Sequence, residues 1–189
     1  VSSVPIADAQ DAPLVGSVAV TFSQRMSPAA ASADAIWLEG PAGIVPTDVQ
    51  LLGDGRTVVL SPAEPLVDVT AYTVRGNAGV VDHFGQAIAL GDAPSTVLLS
   101  FVTGDFTPPP LPEPGSIMVS VPTDGTCTAI GGAGSVEAGT LVVLRNQSTG
   151  ETTTVEASAD GSFTVSGAAE VGDDIDILFI DASGNETTF

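Results

Sequence analysis

Oxygen ligands crowd two neighbouring stretches near the C-terminal end, Gly172-Asp-Asp-Ile-Asp176 and Asp181-Ala-Ser-Gly-Asn185. Ca2+ takes roughly six to eight oxygens from carboxylates, amides and backbone carbonyls. Asp173, Asp174, Asp176, Asp181 and Asn185 could supply several of them, so Ca2+ is the one cofactor the residues suggest. Their spacing is not that of an EF-hand loop. The plainer reading, which we favour, is a set of turn and edge-strand charges that solvate the surface and block edge pairing.

Other reactive residues are sparse. His83 is the single histidine and Cys127 the single cysteine. They fall in different halves of the chain, no Gly-x-Ser-x-Gly elbow is present, and a nucleophile and base must sit within hydrogen-bond reach. No catalytic residue is therefore assigned. Glu137 and Glu170 could form a carboxylate pair for glycoside hydrolysis, but Trp37 and Tyr72, the lone Trp and Tyr, lie in the other half. Gly131-Gly-Ala-Gly134 lacks the Gly-Lys-Ser/Thr of a phosphate loop, because the chain has no lysine. Lys–Asn isopeptide cross-links are excluded for the same reason. Asn146-Gln-Ser148 and Asn185-Glu-Thr187 are formal glycosylation sequons. Cys127 reads as a small buried strand residue, and one cysteine makes no internal disulfide.

Composition narrows the partners. Of 189 residues, 23 are Asp or Glu and 4 are Arg, a formal net charge of -19. Nucleic acids and anionic membranes call for a basic patch, so neither is expected as a partner. At 43% hydrophobic and 5% aromatic, the chain should bury thin cores of Val, Ala, Leu and Ile. Its most apolar runs, Val97–Val102 and Ile175–Ile180, fall short of the ~20 residues of a membrane-crossing helix. Direct membrane insertion is not expected. The start, Val1-Ser-Ser-Val-Pro5, lacks a charged and then apolar leader, so a signal peptide is expected to lie upstream or to have been removed.

These residues must be positioned by strands. Thr107-Pro-Pro-Pro-Leu-Pro-Glu-Pro114 cannot supply ladder donors and reads as a polyproline spacer. It divides the chain into 1–104, a linker at 105–114, and 115–189. The first part shows strands at Val18–Phe22, Ala35–Leu38, Val45–Leu52, Thr57–Leu60, Ala71–Arg75 and Val97–Thr103. Gly53-Asp-Gly55 is a hairpin turn, and Ser27-Pro28 starts one helical turn. The second part shows strands at Ile117–Val121, Thr126–Ile130, Thr140–Leu144, Thr152–Ala157, Ser162–Val165, Ile175–Ile180 and Glu186–Phe189, with a tight turn at Ala159-Asp-Gly161. Short strands at this rhythm predict an all-β chain of two small antiparallel β-sandwiches.

The first part resembles the bacterial Ig-like domains found in S-layer and other secreted surface proteins. Five ordered stretches in residues 4–104 carry the likeness: Val18–Met26, Val58–Leu66, Thr70–Val74, Val81–Gln86 and Phe101-Val-Thr-Gly104. Gln86 stands where the family usually has Asn. Residues 115–189 resemble a second bacterial Ig-like or prealbumin-like module through Asn146-Gln-Ser-Thr-Gly150, Ala159-Asp-Gly-Ser-Phe163, Gly172-Asp173 and Asp181–Asn185. The resemblance implies a non-enzymatic structural or adhesive module of a secreted or cell-surface bacterial protein, a spacer or a subunit of an extracellular filament or layer. Expected partners are neighbouring domains, copies of the same protein, or surface and matrix components. The ends of the chain suggest a piece of a longer protein, or a subunit whose termini pair with neighbours. The alternative is a carbohydrate-binding accessory module of a larger extracellular enzyme, for which Trp37 lying flat on the surface would speak.

Overall fold

The computed structural model describes residues 2–88 and 93–189. The chain forms two compact units, Val1–Asp105 and Phe106–Phe189. The proline tract belongs to the second: Pro109 and Pro112 are buried, and the Thr187 hydroxyl donates to the Pro109 carbonyl.

In the first unit the strands are β1 (Ser2–Val4), β2 (Val18–Thr21), β3 (Ile36–Gly40), β4 (Gly43–Val45), β5 (Thr47–Leu51), β6 (Thr57–Pro62), β7 (Ala71–Gly76) and β8 (Thr96–Val102). They form two antiparallel sheets, ordered β1-β2-β6-β5 and β4-β3-β7-β8. Side chains alternate across a strand, so Val18, Val20, Val58 and Leu60 face inward from one sheet. Ile36, Leu38, Tyr72, Val74, Leu99 and Phe101 meet them from the other, all in one buried cluster. The helical turn is a 3-10 turn at Pro28–Ala30, with Ser27 Oγ accepting the Ala29 N–H.

The second unit contains β9 (Ile117–Val119), β10 (Thr126–Gly131), β11 (Leu141–Asn146), β12 (Thr152–Glu156), β13 (Phe163–Ala168), β14 (Ile175–Ile180) and β15 (Glu186–Thr188). Its sheets are β13-β10-β9 and β12-β11-β14-β15. Cys127, Ala129, Phe163 and Val165 pack against Val142, Leu144, Ile177 and Phe179. The chain is all-β, as two Ig-like sandwiches require.

One connection differs from the sequence expectation, and a second shows a layer change that the expectation left open. Val45–Leu52 is not one strand. Pro46 has no N–H for the ladder, and there the chain leaves the sheet of β3 for that of β6. Likewise, Ala159-Asp-Gly161 makes a tight turn, with the Gly161 N–H on the Ser158 carbonyl. The strands it joins nevertheless enter different sheets, β12 beside β11 and β13 beside β10. It is an arch between layers rather than a hairpin.

Candidate functional site

β14 separates the acidic residues. Asp173 and Asp174 precede it, Asp176 is its second residue, and Asp181 and Asn185 follow it. At ~3.3 Å per residue the two ends of that strand lie roughly 17 Å apart. Each group has local work. Asp173 Oδ2 accepts the Asn146 side-chain amide at 2.7 Å and the Glu170 N–H at 2.9 Å. Asp176 Oδ2 accepts Arg145 Nη2 at 2.9 Å and the Gln147 amide. Asp181 Oδ1 takes the N–H groups of Ser183 and Asn185 at 2.8 and 2.9 Å, and its Oδ2 takes the Asn185 amide at 2.9 Å. The Asp174 N–H donates to Ser148 Oγ.

The same bonds tune the carboxyls. The Glu170 N–H, then the Asn146 amide, hold Asp173 below the ordinary carboxylate range. Arg145 and then Gln147 do so for Asp176. Desolvation raises the Asp181 carboxyl, but the Asn185 amide and the turn N–H groups outweigh it. Among the described residues no group of three or more His, Cys, Asp or Glu is placed to hold a metal ion.

The remaining candidates are dispersed. Glu137 follows Val136, whose N–H donates to the Gly161 carbonyl just before β13. Glu170 follows Ala169, bonded to Gly125 beyond the far end of that strand. The two glutamates therefore sit at opposite ends of β13. Cys127 is buried in the second core with its thiol directed to the Ser120 carbonyl, and His83 is exposed in the first unit. Trp37 points outward from β3 between the buried Ile36 and Leu38 and is half-buried. It stands opposite Arg75, which pairs with Glu39, so it is neither a core residue nor a flat exposed platform.

Asn146 overturns a sequon. It is 1% exposed. Its amide donates to the Ala168 carbonyl and Asp173, and its carbonyl accepts the N–H groups of Ser148 and Thr149. All four bonds an asparagine side chain can readily make are used, and no glycan can reach it. Sequence reasoning missed this hub, because a buried and an exposed Asn-x-Ser look alike in one sequence.

Two surface features were also missed. At one end of the first unit, Phe84 stands 81% exposed in the Asp82–Gln86 turn. At the other end an apolar pocket of about 430 Å³ opens beside the β3–β4 hairpin, bordered by Pro41, Ile44, Pro65, Val67 and Tyr72 with Glu64 at its rim. Its walls come from segments distant in sequence, which leaves no contiguous motif to read.

A family model described as Bacterial Ig-like domain matches residues 1–103. The chain belongs to the bacterial Ig-like domain family. No curated protein matches it. Among solved structures, domains 1–6 of the surface layer protein SbsC are 15% identical, with 96% of this chain and 33% of that chain covered at a TM-score of 0.41. Native alpha-2-macroglobulin from Escherichia coli, domains MG0-NIE-MG1, is 11% identical, with 97% and 94% covered at 0.39. This chain spans about a third of the SbsC chain.

The Ig-like domain explains the motif residues in physical terms. Tyr72 Oη accepts the Val67 N–H at 3.0 Å, a corner tie from strand to preceding loop. Thr103, 1% exposed, donates from Oγ1 to the Val67 carbonyl at 2.6 Å and accepts the Thr70 N–H at 2.9 Å. Asp82 Oδ1 accepts the N–H groups of Phe84 and Gln86, both at 2.8 Å, and Gly85 follows at φ 79°, a conformation glycine adopts freely.

Proposed function

We propose that this chain is a non-catalytic structural module of a secreted or cell-surface bacterial protein, acting as a spacer or as a subunit of an extracellular assembly. One observation carries the reading: the side chains with chemical potential are spent on holding turns. Asp82, Asp173, Asp181 and Asn146 cap backbone N–H groups, and Cys127 is buried. Glu137 and Glu170 are held apart by a whole strand. What is left is two sandwiches whose hydrogen-bonded sheets resist extension, with a surface charge that keeps the chain from nonspecific association.

The second reading is a carbohydrate-contacting module, whose aromatic would be Trp37, partly exposed on the outer face of β3 beside the Arg75–Glu39 pair. A panel of polysaccharides and oligosaccharides, read by calorimetry and by reducing-end release, separates the two. The structural reading expects neither saturable binding nor hydrolysis. Saturable binding abolished by Trp37→Ala would replace it with the carbohydrate reading.

A further inference from the structure

We propose that the Asp82–Gln86 turn of one copy docks its Phe84 into the apolar pocket at the opposite end of the first sandwich of a second copy, joining copies head to tail. This rests on the assembly form of the structural reading and names its surface and partner.

Phe84 is presented rather than merely exposed. The Asp82 carboxylate fixes the turn on two N–H groups, the His83 N–H is tied to the Arg25 carbonyl, and the His83 ring meets Phe84 edge-on at 5.3 Å. A rigid aromatic loses little conformational entropy on docking, and aromatic residues, Phe among them, are enriched in protein–protein interfaces. The chain supplies its own control. Asp181–Asn185 builds the same turn in the second unit: Oδ1 on the second and fourth following N–H groups, and Asp181 N–H on the Asn185 carbonyl. There the two tip positions are Ala182 and Ser183. The turn itself therefore does not require His83-Phe84.

Charge and shape complement each other across the sandwich. Arg25 and Arg56, two of the four basic residues of the chain, flank the Phe84 end. The Asp54 and Asp82 carboxylates there are turned onto their own loops, so that among the described residues Asp34 is the opposing charge at that end. At the far end Asp8, Asp11 and Glu64 are exposed, and no basic residue lies there among the described residues. The pocket rim carries Ile44, 69% exposed, and Val67, 63% exposed. Strand register puts the two features at opposite ends: Thr21 pairs with Thr57 beside the turn, and Val18 with Leu60 toward the pocket. Phe84 cannot reach the pocket of its own copy. Such a contact is heterologous, leaving one tip and one pocket open for further copies.

Sedimentation velocity of the full chain at ~0.15 M salt, where long-range self-repulsion is screened beyond about 8 Å, tests this from micromolar to millimolar protein. Wild type should grow in mass with concentration. Phe84→Ser, which copies the second unit's turn, and Val67→Asp should each weaken association at least about tenfold. An equimolar mixture of the two should give dimers and nothing larger, since one intact tip meets one intact pocket. Circular dichroism confirms folding, and Ile44→Asp replaces Val67→Asp if that variant unfolds. Monomer at every concentration, variants that associate like wild type, or a mixture that fails to stop at dimers would each overturn the proposal. Association untouched by the variants condemns this surface yet leaves the assembly reading standing; saccharide binding in the glycan panel condemns that reading and leaves the sedimentation result in place.

Discussion

The two sandwiches solve the same packing problem with different polar groups. Each tucks a glycine under an aromatic ring on the neighbouring strand. A Cβ at Gly40 would lie 2.7 Å from the Tyr72 ring, and one at Gly131 would lie 2.3 Å from the Phe163 ring. The sandwiches part company where loops are fastened to strands. The first unit ties its buried corner with hydroxyls, Tyr72 and Thr103, and keeps carboxylates for two turns, Asp54 and Asp82. The second uses a buried amide and carboxylates, Asn146 with Asp173, and Asp176 with Arg145. Hydroxyl ties are indifferent to pH; carboxylate ties are not. Two modules of similar fold should therefore differ in how acid and mutation unfold them.

The sharpest way to break the comparison is at its buried amide. Asn146→Ala strands the Ala168 carbonyl, the Ser148 and Thr149 N–H groups and one Asp173 bond near the second core. With a buried unsatisfied group costing ~1–3 kcal/mol, the loss should reach about 3 kcal/mol. Differential scanning calorimetry should show one transition lowered and the other unmoved. A uniform shift of both would mean that the units unfold as one. The matching change in the first unit, Tyr72→Phe, removes a single bond to the Val67 N–H and should cost about 1 kcal/mol.

Acid provides the next contrast. Carboxyls held below their ordinary pKa number four in the second unit, Asp160, Asp173, Asp176 and Asp181. In the first, Asp54 is shifted the same way by Thr57 and the turn N–H groups. A folded pKa below the unfolded value of ~3.9 gives stability that is complete above that value and is lost as pH falls through the folded pKa. The second unit's transition should thus drop faster than the first's below about pH 4. Between pH 7 and 5 neither should fall, because partial neutralisation of a net charge of -19 relieves repulsion. Melting curves across pH 2–7 check both statements, and a first unit that fails earlier would reverse the assignment.

Alternation of apolar residues made nearly every strand readable, because a half-buried strand must show period two. Gly53-Asp-Gly55 was readable as a hairpin for the same reason: local turn chemistry needs φ > 0, and Gly55 has φ 68°. Layer choice was not readable. Pro46 and the Ser158–Ser162 arch send consecutive strands to opposite sheets, and that depends on what crosses beneath. A Cβ on Gly161 would sit 2.1 Å from the Val136 carbonyl, a contact between residues far apart in sequence. The candidate site had the same limit. Each acidic turn could be read as a turn, but β14 decides that two such turns are separate, and only the fold reveals its length as a gap between them.

Backbone strain offers a smaller test in the first unit. Val69 sits at φ 44°, where a β-branched residue is disfavoured by ~1–2 kcal/mol, and its N–H holds the Gly104 carbonyl. Val69 is 67% exposed, so removing its side chain costs little burial. Val69→Gly relieves the strain but adds unfolded-state freedom, and a net gain of about 0.5–1 kcal/mol in the first transition alone is expected from calorimetry.

Calcium should produce the smallest effect. A specific site would need Asp173, Asp174, Asp176, Asp181 and Asn185 to converge, and β14 holds them in two groups roughly 17 Å apart. Binding at either group would also compete with bonds already made to Asn146, Arg145 or the turn N–H groups. Diffuse screening of a highly acidic chain remains, and it depends on ionic strength rather than on ion identity. Melting temperatures in CaCl2 and in NaCl of equal ionic strength should therefore agree to within about a degree. A larger calcium shift that Asp181→Asn abolishes would show that the second unit's carboxylates bind metal, and that its acid sensitivity reports ligation rather than fastening.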